Sequence, residues 1–455
     1  MRREIAPLLR LALPVVLAEI GWMGMGLVDT LMVGPLGPAA IGAAGVGNAL
    51  FFAVAIFGMG VMLGLDALVS QSFGARRLDD CIRWLQHGML LSAITAPVLM
   101  LISYGGWLTM DHWGLHPDVK GMASTYMSVI ILGTPALLFY ATFRRYLQGM
   151  HLVRPVMVAL ITANLVNAAG NWVLVYGHFG VPALGIAGSA WATNLARLYM
   201  ALFLGFAILL EHRRRGVHHP QVPFLFDAGR LRALFRMGAP AAAQTMVEVG
   251  VFGTVTIIAG RLNPTSLGSH QIALNVASLA FMVPLGLASA AAVQVGHAVG
   301  GGRTRDAVAA GWASLVVGLV AMLIVALPML AMPVALLRPF SQDPGVLTTG
   351  ARLLAIAAAF QLFDGAQAVA TGVLRGVGDT RSAFVMNVIG HWLIGLPCGY
   401  LLCFVAGWGV AGLWIGLSIG LTIVALALTL IWYRRAGRLL REGLAASGAT
   451  SQLAG

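Results

Sequence analysis

Charged side chains are scarce in this sequence of 455 residues. Lys and Arg together number 28 and Asp and Glu number 16, so that charged residues make up 10% of the chain, against about a quarter in an average soluble domain. A soluble protein of this length needs more polar side chains to cover its surface. The shortage argues against a soluble enzyme, a soluble binding module and a disordered chain.

Cysteine and lysine are scarce as well. Cys81, Cys398 and Cys403 are too few for a disulfide-stapled module, and their spacing is not that of a zinc or redox site. Lys120 is the only lysine, so the chain has no Gly-rich phosphate-binding loop that ends in lysine. The sequence therefore predicts no cofactor and no built-in ATPase, which leaves an ion gradient as the energy source of active transport.

Hydrophobic residues are abundant instead, at 59% of the chain, and the mean hydropathy is +0.87. Continuous apolar stretches of about 20 residues, long enough to cross ~30 Å of hydrocarbon, recur along the whole sequence. Their continuity favours helices over the alternating strands of a membrane barrel. We therefore predict an all-α integral membrane protein. The twelve predicted spans are 9–33, 44–70, 85–108, 122–146, 155–178, 185–210, 234–259, 269–297, 308–333, 350–374, 382–405 and 409–433.

The net charge of +12 follows from where the basic residues lie. If the N-terminus is inside, 23 basic residues fall in the inner segments. Arg197 lies within a span, and four basic residues fall in the outer segments, namely Lys120, Arg261, Arg338 and Arg352. This asymmetry predicts that both termini are cytoplasmic. It also explains the positive charge without a nucleic-acid partner.

The two halves of the chain repeat each other. An offset of 226 residues aligns Pro14 with Pro240 and Gly74 with Gly300. Six spans in each half give both halves the same orientation, so we expect two lobes related by a pseudo-two-fold axis along the membrane normal, with a cleft between them. Such a repeat favours alternating-access transport over a channel. The predicted parts are an N-lobe at 1–211, a cytoplasmic linker at 212–233, a C-lobe at 234–441 and a frayed cytoplasmic tail at 442–455.

Ionisable side chains within the spans are costly in lipid and are functional candidates by default. Five acids and one base lie there: Glu19, Asp29, Asp66, Glu248, Asp364 and Arg197. The excess of acids predicts a cavity that handles cations. Glu19 and Asp29 are about 15 Å apart along a helix and cannot share one ion. The sequence leaves the roles of Glu19, Asp66 and Arg197 open.

Polar side chains accompany these acids at helical spacing. Gln244 precedes Glu248 by one turn on the seventh span. Lipid would penalise such polar ridges, so we expect them to face the bundle interior. Asp29 lies at a depth similar to that of Asn171, and the two could coordinate a small ion through oxygen atoms, although hydrogen bonding between helices also explains the amides. The other polar ridges are Asn164, Asn167 and Asn171 on the fifth span and Gln361, Asp364, Gln367 and Thr371 on the tenth.

Several motifs resemble those of the multidrug and toxic compound extrusion (MATE) transporters, in particular the bacterial NorM-type branch. The resemblance covers essentially the whole chain. It implies a twelve-helix, two-lobed exporter of a bacterial inner membrane that exchanges Na⁺ or H⁺ for organic cations, and it implies no enzyme. The motifs are Pro14, Val28-Asp29-Thr30-Leu31-Met32-Val33-Gly34, Gln71-Ser72-Phe73-Gly74-Ala75, Asn171-Trp172-Val173, His270-Gln271-Ile272-Ala273-Leu274-Asn275 and Leu374-Arg375-Gly376-Val377-Gly378-Asp379.

The resemblance also implies site residues. Glu248 and Asp364 match the C-lobe acids associated with cation coupling, and Asp29, Asn167 and Asn171 match the N-lobe polar cluster, so that Na⁺ would bind at one of these two places. Phe360 stands where the family pattern has Tyr. Glu19 replaces a small polar residue and is a candidate for an extra proton or drug site. We expect a monomer with small, cationic and aromatic substrates, and candidate substrate-binding residues are Glu248, Asp364, Gln244, Phe281, Met282, Phe360, Gln361 and Gln271.

Two other functions compete with this interpretation. A lipid-linked oligosaccharide flippase of the same superfamily would predict a basic cavity and usually additional helices. An intramembrane enzyme would require two catalytic groups at one depth, which only Glu248 and Asp364 could supply. The sequence does not distinguish Na⁺ from H⁺, does not name the natural substrate and does not say which lobe binds the ion and which the drug.

Overall fold

The computed structural model describes residues 2–113, 116–215 and 222–453, with side chains from 4 to 442 within these ranges, and the regular secondary structure in them is helical. Twelve helices in this part of the chain are long and apolar enough to cross a bilayer, as predicted. They are, in order from α1 to α12, Glu4–Leu36, Pro38–Gly74, Leu78–His112, Pro117–Gly149, Val153–Tyr176, Ile186–Arg214, Ala228–Ala259, Pro264–Gly300, Thr304–Ala331, Pro344–Gly376, Arg381–Val405 and Gly409–Glu442.

Most helices are longer than the apolar runs that predicted them. The run at 44–70 lies within α2, which covers Pro38–Gly74. Apolar runs mark only the part of a helix that lies in hydrocarbon, whereas the helix ends continue into the polar interface. The backbone of the last helix continues to Leu453, through most of the segment predicted as a frayed tail. Within the predicted linker, residues 216–221 lie outside the described residues.

Side-chain caps define the start of two helices in the second half. Asn263 accepts a hydrogen bond from the Ser266 N–H at 2.7 Å and precedes α8. Asp343 accepts one from the Val346 N–H at 2.8 Å and precedes α10. In both helices proline occupies the first turn, where its missing N–H is not needed.

Three spans contain an interruption. The backbone of a regular helix has all its internal hydrogen bonds satisfied, and each interruption changes the direction or width of the helix locally. The interruption in α2 is at Leu63, between Pro38–Met62 and Gly64–Gly74. The interruption in α4 is the 3₁₀ turn Ile131–Gly133, and those in α11 are the π-helical turns Val388–Gly395 and Leu401–Val405.

The chain forms two compact units. The N unit consists of Leu17–Val69 and Arg77–Ala242, and the C unit consists of Met1–Val16, Ser70–Arg76 and Ala243–Gly455. The boundaries of the two lobes, which were inferred from the repeat, stay a prediction.

The repeat is visible in the packing inside each unit. In the N unit, a Cβ atom on Gly60 would lie 2.5 Å from the Ala242 Cα atom. In the C unit, a Cβ atom on Gly286 would lie 2.8 Å from the Val16 nitrogen. The two glycines and their two partners are separated by the same offset of 226 residues. Both contacts require glycine, because any side chain would overlap the neighbouring backbone.

Candidate ion and substrate sites

Asp29 on α1 accepts three hydrogen bonds in the N unit. Its Oδ1 atom accepts from the amide nitrogens of Asn167 at 2.9 Å and Asn171 at 2.8 Å, both on α5. Its Oδ2 atom accepts from the hydroxyl of Thr193 on α6 at 2.7 Å. Residues 167 and 171 are one helical turn apart and present their amides on the same face. The structure therefore brings together the three residues predicted for this site and adds Thr193.

The amide oxygens of this cluster have no hydrogen-bond partner. The Oδ1 atoms of Asn167 and Asn171 are buried and unpaired among the described residues. Hard cations in proteins are bound by carboxylate, amide and hydroxyl oxygens. Rotation of either amide by half a turn would exchange its nitrogen for this oxygen beside Asp29. The amide nitrogens can therefore stabilise the charged Asp29 carboxylate when no ion is bound. After such a rotation, the amide oxygens could bind a small cation together with Asp29.

Arg197 lies on α6 one turn after Thr193. It interacts electrostatically with Asp29 and lies with its guanidinium 4.5 Å from the ring centre of Phe51. One of its nitrogens also lies 3.5 Å from the Asn194 Oδ1 atom. The cationic Arg197 thus stabilises negative charge in this part of the N unit without a direct ion pair to Asp29 among the described contacts.

Glu19 and Asp66 are paired with neighbouring arginines of α4. Arg144 donates to Glu19, and both side chains are buried. Arg145 lies 3.4 Å from a carboxylate oxygen of Asp66, which is fully buried. Because consecutive residues on a helix point about 100° apart, the two arginines reach acids on α1 and α2. Glu19 is thus neutralised within the N unit in this structure.

Glu248 on α7 is held by two amides of the C unit. Its carboxylate accepts hydrogen bonds from Gln244, one turn earlier on α7, and from Gln367 on α10, both at 3.1 Å. The Gln367 amide nitrogen also lies 3.4 Å from the Asn387 Oδ1 atom on α11. Three helices therefore contribute to the surroundings of this acid.

Asp364 lies on α10 one turn before Gln367. Its side chain is buried and interacts electrostatically with Glu248. Neither carboxylate forms an ion pair with an arginine, lysine or histidine among the described side chains. The C unit therefore holds two interacting membrane-embedded acids with no cation paired to either among the described side chains.

α11 widens next to this acid pair. Asn387 ends a regular helical turn, and the π-helical segment Val388–Gly395 follows it. Buried His391 lies in this segment with its Nδ1 atom 3.3 Å from the Asn387 carbonyl oxygen, and its Nε2 atom has no partner among the described residues. π-helical turns occur frequently at functional sites.

The remaining candidate residues lie in different environments. Phe360 packs in the hydrophobic core of the C unit, with its ring centre 5.7 Å from that of Trp414. Gln361 is fully buried, with its amide nitrogen 3.9 Å from the Met329 sulfur atom. Phe281 and Met282 on α8 are half-buried, and Gln271 is exposed. None of the last three takes part in the described hydrogen bonds of Glu248.

Sequence reasoning missed Thr193 and Asn387. Thr193 lies one turn before Arg197, which was itself noticed as a charge inside a span, so the same helix face could have suggested it. Asn387 follows a basic loop and carried no charge or motif that singled it out. Among the residues that the structure describes, no group of three His, Cys, Asp or Glu side chains is suited to a metal ion.

Comparison with known proteins decides the family. A model of the family named MatE matches residues 14–173 and again residues 240–401, so that the two matches begin at Pro14 and Pro240. This chain belongs to the MatE family. The double match agrees with the internal repeat, and membership makes the protein a multi-pass membrane transporter and not an enzyme.

Individual relatives of this MatE protein agree with that assignment. The "Probable multidrug resistance protein NorM" of Mesorhizobium japonicum is 34% identical over 441 residues, which cover 95% of this chain and 94% of the relative. The crystal structure of the eukaryotic MATE transporter AtDTX14 has a TM-score of 0.85 at 20% identity and covers 97% of this chain and 99% of that one. A MOP superfamily transporter from Pyrococcus furiosus has a TM-score of 0.86 at 18% identity, covering 96% of each chain. The two structures establish the fold.

Proposed function

We propose that this MatE protein is a secondary active multidrug exporter that exchanges Na⁺ or H⁺ for organic cations by alternating access. It would work as a monomer in a bacterial inner membrane, with both termini in the cytoplasm. The observation that carries this proposal is the acid pair Glu248 and Asp364, which lies inside the membrane-spanning part of the C unit and has no cationic partner among the described side chains. The name of the NorM relative supports multidrug transport.

An uncompensated acid pair favours the binding of an external cation. Carboxylates removed from water are costly unless they are paired, protonated or hydrated. Glu248 receives only neutral amide donors, and Asp364 lies beside a second acid. An organic cation, a proton or Na⁺ would each lower this cost. Because both would bind the same two carboxylates, the coupling ion and the substrate compete for one site. This competition is what exchange requires.

The exchange cycle follows from this competition. A proton or Na⁺ that enters from outside neutralises the acid pair and releases the bound organic cation. After the protein reopens to the cytoplasm, the ion leaves and a new cationic substrate binds the carboxylates. Each charge that moves inward through a membrane potential of 100 mV contributes ~2.3 kcal/mol.

The Asp29 cluster is a second place for the coupling ion. Its three donors stabilise the charged carboxylate, and its two unpaired amide oxygens could replace those donors around Na⁺. Asn167 and Asn171 would then change from donors to ligands. Protonation of Asp29 would instead leave the amides with fewer acceptors.

The substrate would be a small organic cation with aromatic character. Gln244 and Gln361 would contribute polar contacts near the acids. Phe281 and Met282 would contribute apolar and polarizable surface, and aromatic rings bind cations through their faces. Phe360 packs against Trp414 in the core, so we assign it a supporting role behind Asp364. Gln271 is exposed and is a weaker candidate for direct contact.

Efflux from proteoliposomes tests the proposal. Ethidium export is measured with an imposed Na⁺ gradient, with an imposed pH gradient and with neither. We expect one gradient to accelerate export, and Glu248→Gln or Asp364→Asn to slow it roughly ten-fold or more, equivalent to about 1.4 kcal/mol. Asp118→Asn, at an exposed residue outside the cluster, is the matched control and should export normally. Export that depends on neither gradient would contradict exchange, and normal export by both amide variants would contradict the site.

A further inference from the structure

A long apolar groove lies on the surface of the N unit between α3, α4 and α6. It has a volume of about 780 Å³, which is in the range of sites that bind small molecules. Its walls are aliphatic and aromatic, and the lining side chains with polar atoms are Asn194 and Trp191. Leu202 and Phe206 are 65% and 61% exposed on its rim, so the groove opens toward the surrounding lipid.

The shape of the groove follows from the sequence of α4 and α6. The 3₁₀ turn Ile131–Gly133, followed by Pro135, displaces α4 where the groove begins. Gly205 on α6 has no side chain, and a Cβ atom there would lie 3.4 Å from the Phe143 ring. Glycine at this position therefore lets the Phe143 ring pack closely against α6 in the wall of the groove.

The groove follows one face of α6 over most of its length. The lining residues of this helix extend from Trp191 to Leu209, a distance of about 27 Å at 1.5 Å per residue. One leaflet of a bilayer contributes about 15 Å of hydrocarbon, so an acyl chain of one leaflet fits within the groove. Arg213 lies one turn beyond Leu209 on the same helix face and is exposed.

We propose that this groove binds a phospholipid of the surrounding bilayer, with an acyl chain along α6 and an anionic headgroup at Arg213. The apolar walls fit the acyl chain. The cationic side chain at the end of the groove favours an anionic headgroup, because each Lys or Arg at the membrane surface attracts anionic lipid by about 1 kcal/mol. The charge distribution of the sequence predicts that this end faces the cytoplasm.

The bound lipid would lie next to the Asp29 cluster. Asn194 forms part of the groove wall and donates to the Val129 carbonyl oxygen at 2.7 Å, beside the interruption in α4. Its Oδ1 atom lies 3.5 Å from Arg197. The preceding residue, Thr193, donates to Asp29. An acyl chain against Asn194 would therefore stabilise the position of α6 that holds this cluster together.

Photo-crosslinking locates the lipid. The purified full-length protein is reconstituted into phosphatidylcholine vesicles that contain a trace of phosphatidylglycerol with a photoreactive group in its acyl chain, and labelled peptides are mapped by mass spectrometry. We expect labelling of the α6 segment around Gly205. Gly205→Leu, which fills the groove, should abolish this labelling. Arg213→Gln should reduce it about five-fold for phosphatidylglycerol, the ratio that corresponds to 1 kcal/mol.

Two controls make the result decisive. Arg214→Gln removes an equal charge from the adjacent position, which points away from the groove face, and should leave the labelling unchanged. Photoreactive phosphatidylcholine should label the wild type and Arg213→Gln equally. Thermal unfolding in detergent confirms that each variant is folded. Labelling that persists in Gly205→Leu, or that falls equally in Arg213→Gln and Arg214→Gln, would overturn the proposal. Neither result depends on transport activity, so the proposed exchange is tested separately.

Discussion

The two units differ in how many of their membrane-embedded acids are paired with arginine. In the N unit Glu19 pairs with Arg144, Asp66 pairs with Arg145, and Asp29 accepts three hydrogen bonds. In the C unit, among the described side chains, Glu248 accepts from two neutral amides, and Asp364, which interacts electrostatically with it, has no cationic partner. Two acids of the N unit, Glu19 and Asp66, are therefore already compensated by arginines, whereas the acids of the C unit, like Asp29, leave room for an incoming cation.

Equivalent positions of the repeat carry different residues in the two units. Trp22 and Glu248 are 226 residues apart, and Tyr140 and Gln367 are 227 apart. In the N unit the Trp22 and Tyr140 rings are parallel, with their centres 5.9 Å apart. In the C unit the corresponding residues form the hydrogen bond from Gln367 to Glu248. The same pair of helix positions thus forms an aromatic contact in one unit and an acidic site in the other.

Removal of the buried cation in the N unit should have the largest effect on stability. Arg144→Met leaves Glu19 buried without its partner, which we expect to lower the free energy of unfolding by about 3–5 kcal/mol. Glu19→Gln combined with Arg144→Met removes both charges and should recover most of the loss. Thermal unfolding in detergent measures both variants. Equal stability of the single and double variants would show that the ion pair is not the reason for the loss.

Removal of one hydrogen-bond donor to Asp29 should have an intermediate effect on stability. Thr193→Val keeps the shape of the side chain but removes the hydrogen bond to Oδ2, and we expect a loss of about 1.5–3 kcal/mol because the acceptor is charged. Thr193→Ser keeps the hydroxyl and is the matched control. If the hydrogen bond to the charged Asp29 is the cause, Asp29→Asn should remove the difference in stability between these two variants. If Thr193→Ser is as unstable as Thr193→Val, the hydroxyl is not the reason for the loss.

Removal of the Tyr140 hydroxyl should have the smallest effect on stability of the three. The hydroxyl oxygen lies 3.4 Å from Arg144, a long hydrogen bond, and Arg144 retains its ion pair with Glu19. Tyr140→Phe should therefore change the free energy of unfolding by about 0.5 kcal/mol, whereas Tyr140→Ala also removes the ring that lies beside Trp22. Chemical unfolding of the two variants separates the hydroxyl from the ring. A large loss in Tyr140→Phe would mean that Arg144 depends on this hydroxyl.

The sequence predicted the number of helices and the main acids because these depend on local composition. A run of about 20 apolar residues forms a helix in lipid wherever it occurs, and a carboxylate inside such a run is recognisable without its neighbours. Asn171 was predicted to lie level with Asp29 because depth is readable from one sequence, whereas the grouping of Asn167 with Asp29 was implied by the family resemblance. These predictions required no knowledge of how distant helices pack.

The partners of the acids could not be predicted in the same way. Arg144 and Arg145 lie at the end of a predicted span and were counted with the cytoplasmic charges, yet they turn toward Glu19 and Asp66. Which of two adjacent arginines meets which acid depends on the rotation of α4 against α1 and α2. The π-helical turns of α11 and the groove beside α6 depend likewise on packing between helices, which leaves no periodic signal in the sequence.

Direct binding of ethidium to the purified protein tests the difference between the two units most directly. The double variant Glu248→Gln with Asp364→Asn removes the acids of the C unit, and the double variant Glu19→Gln with Arg144→Met removes a charge pair of the N unit without changing the net charge. We expect the C-unit double variant to raise the Kd for ethidium roughly ten-fold or more and the N-unit double variant to leave this Kd within about two-fold. Unchanged binding in the C-unit double variant, together with lost binding in a folded N-unit double variant, would contradict the assignment of cation binding to the C unit.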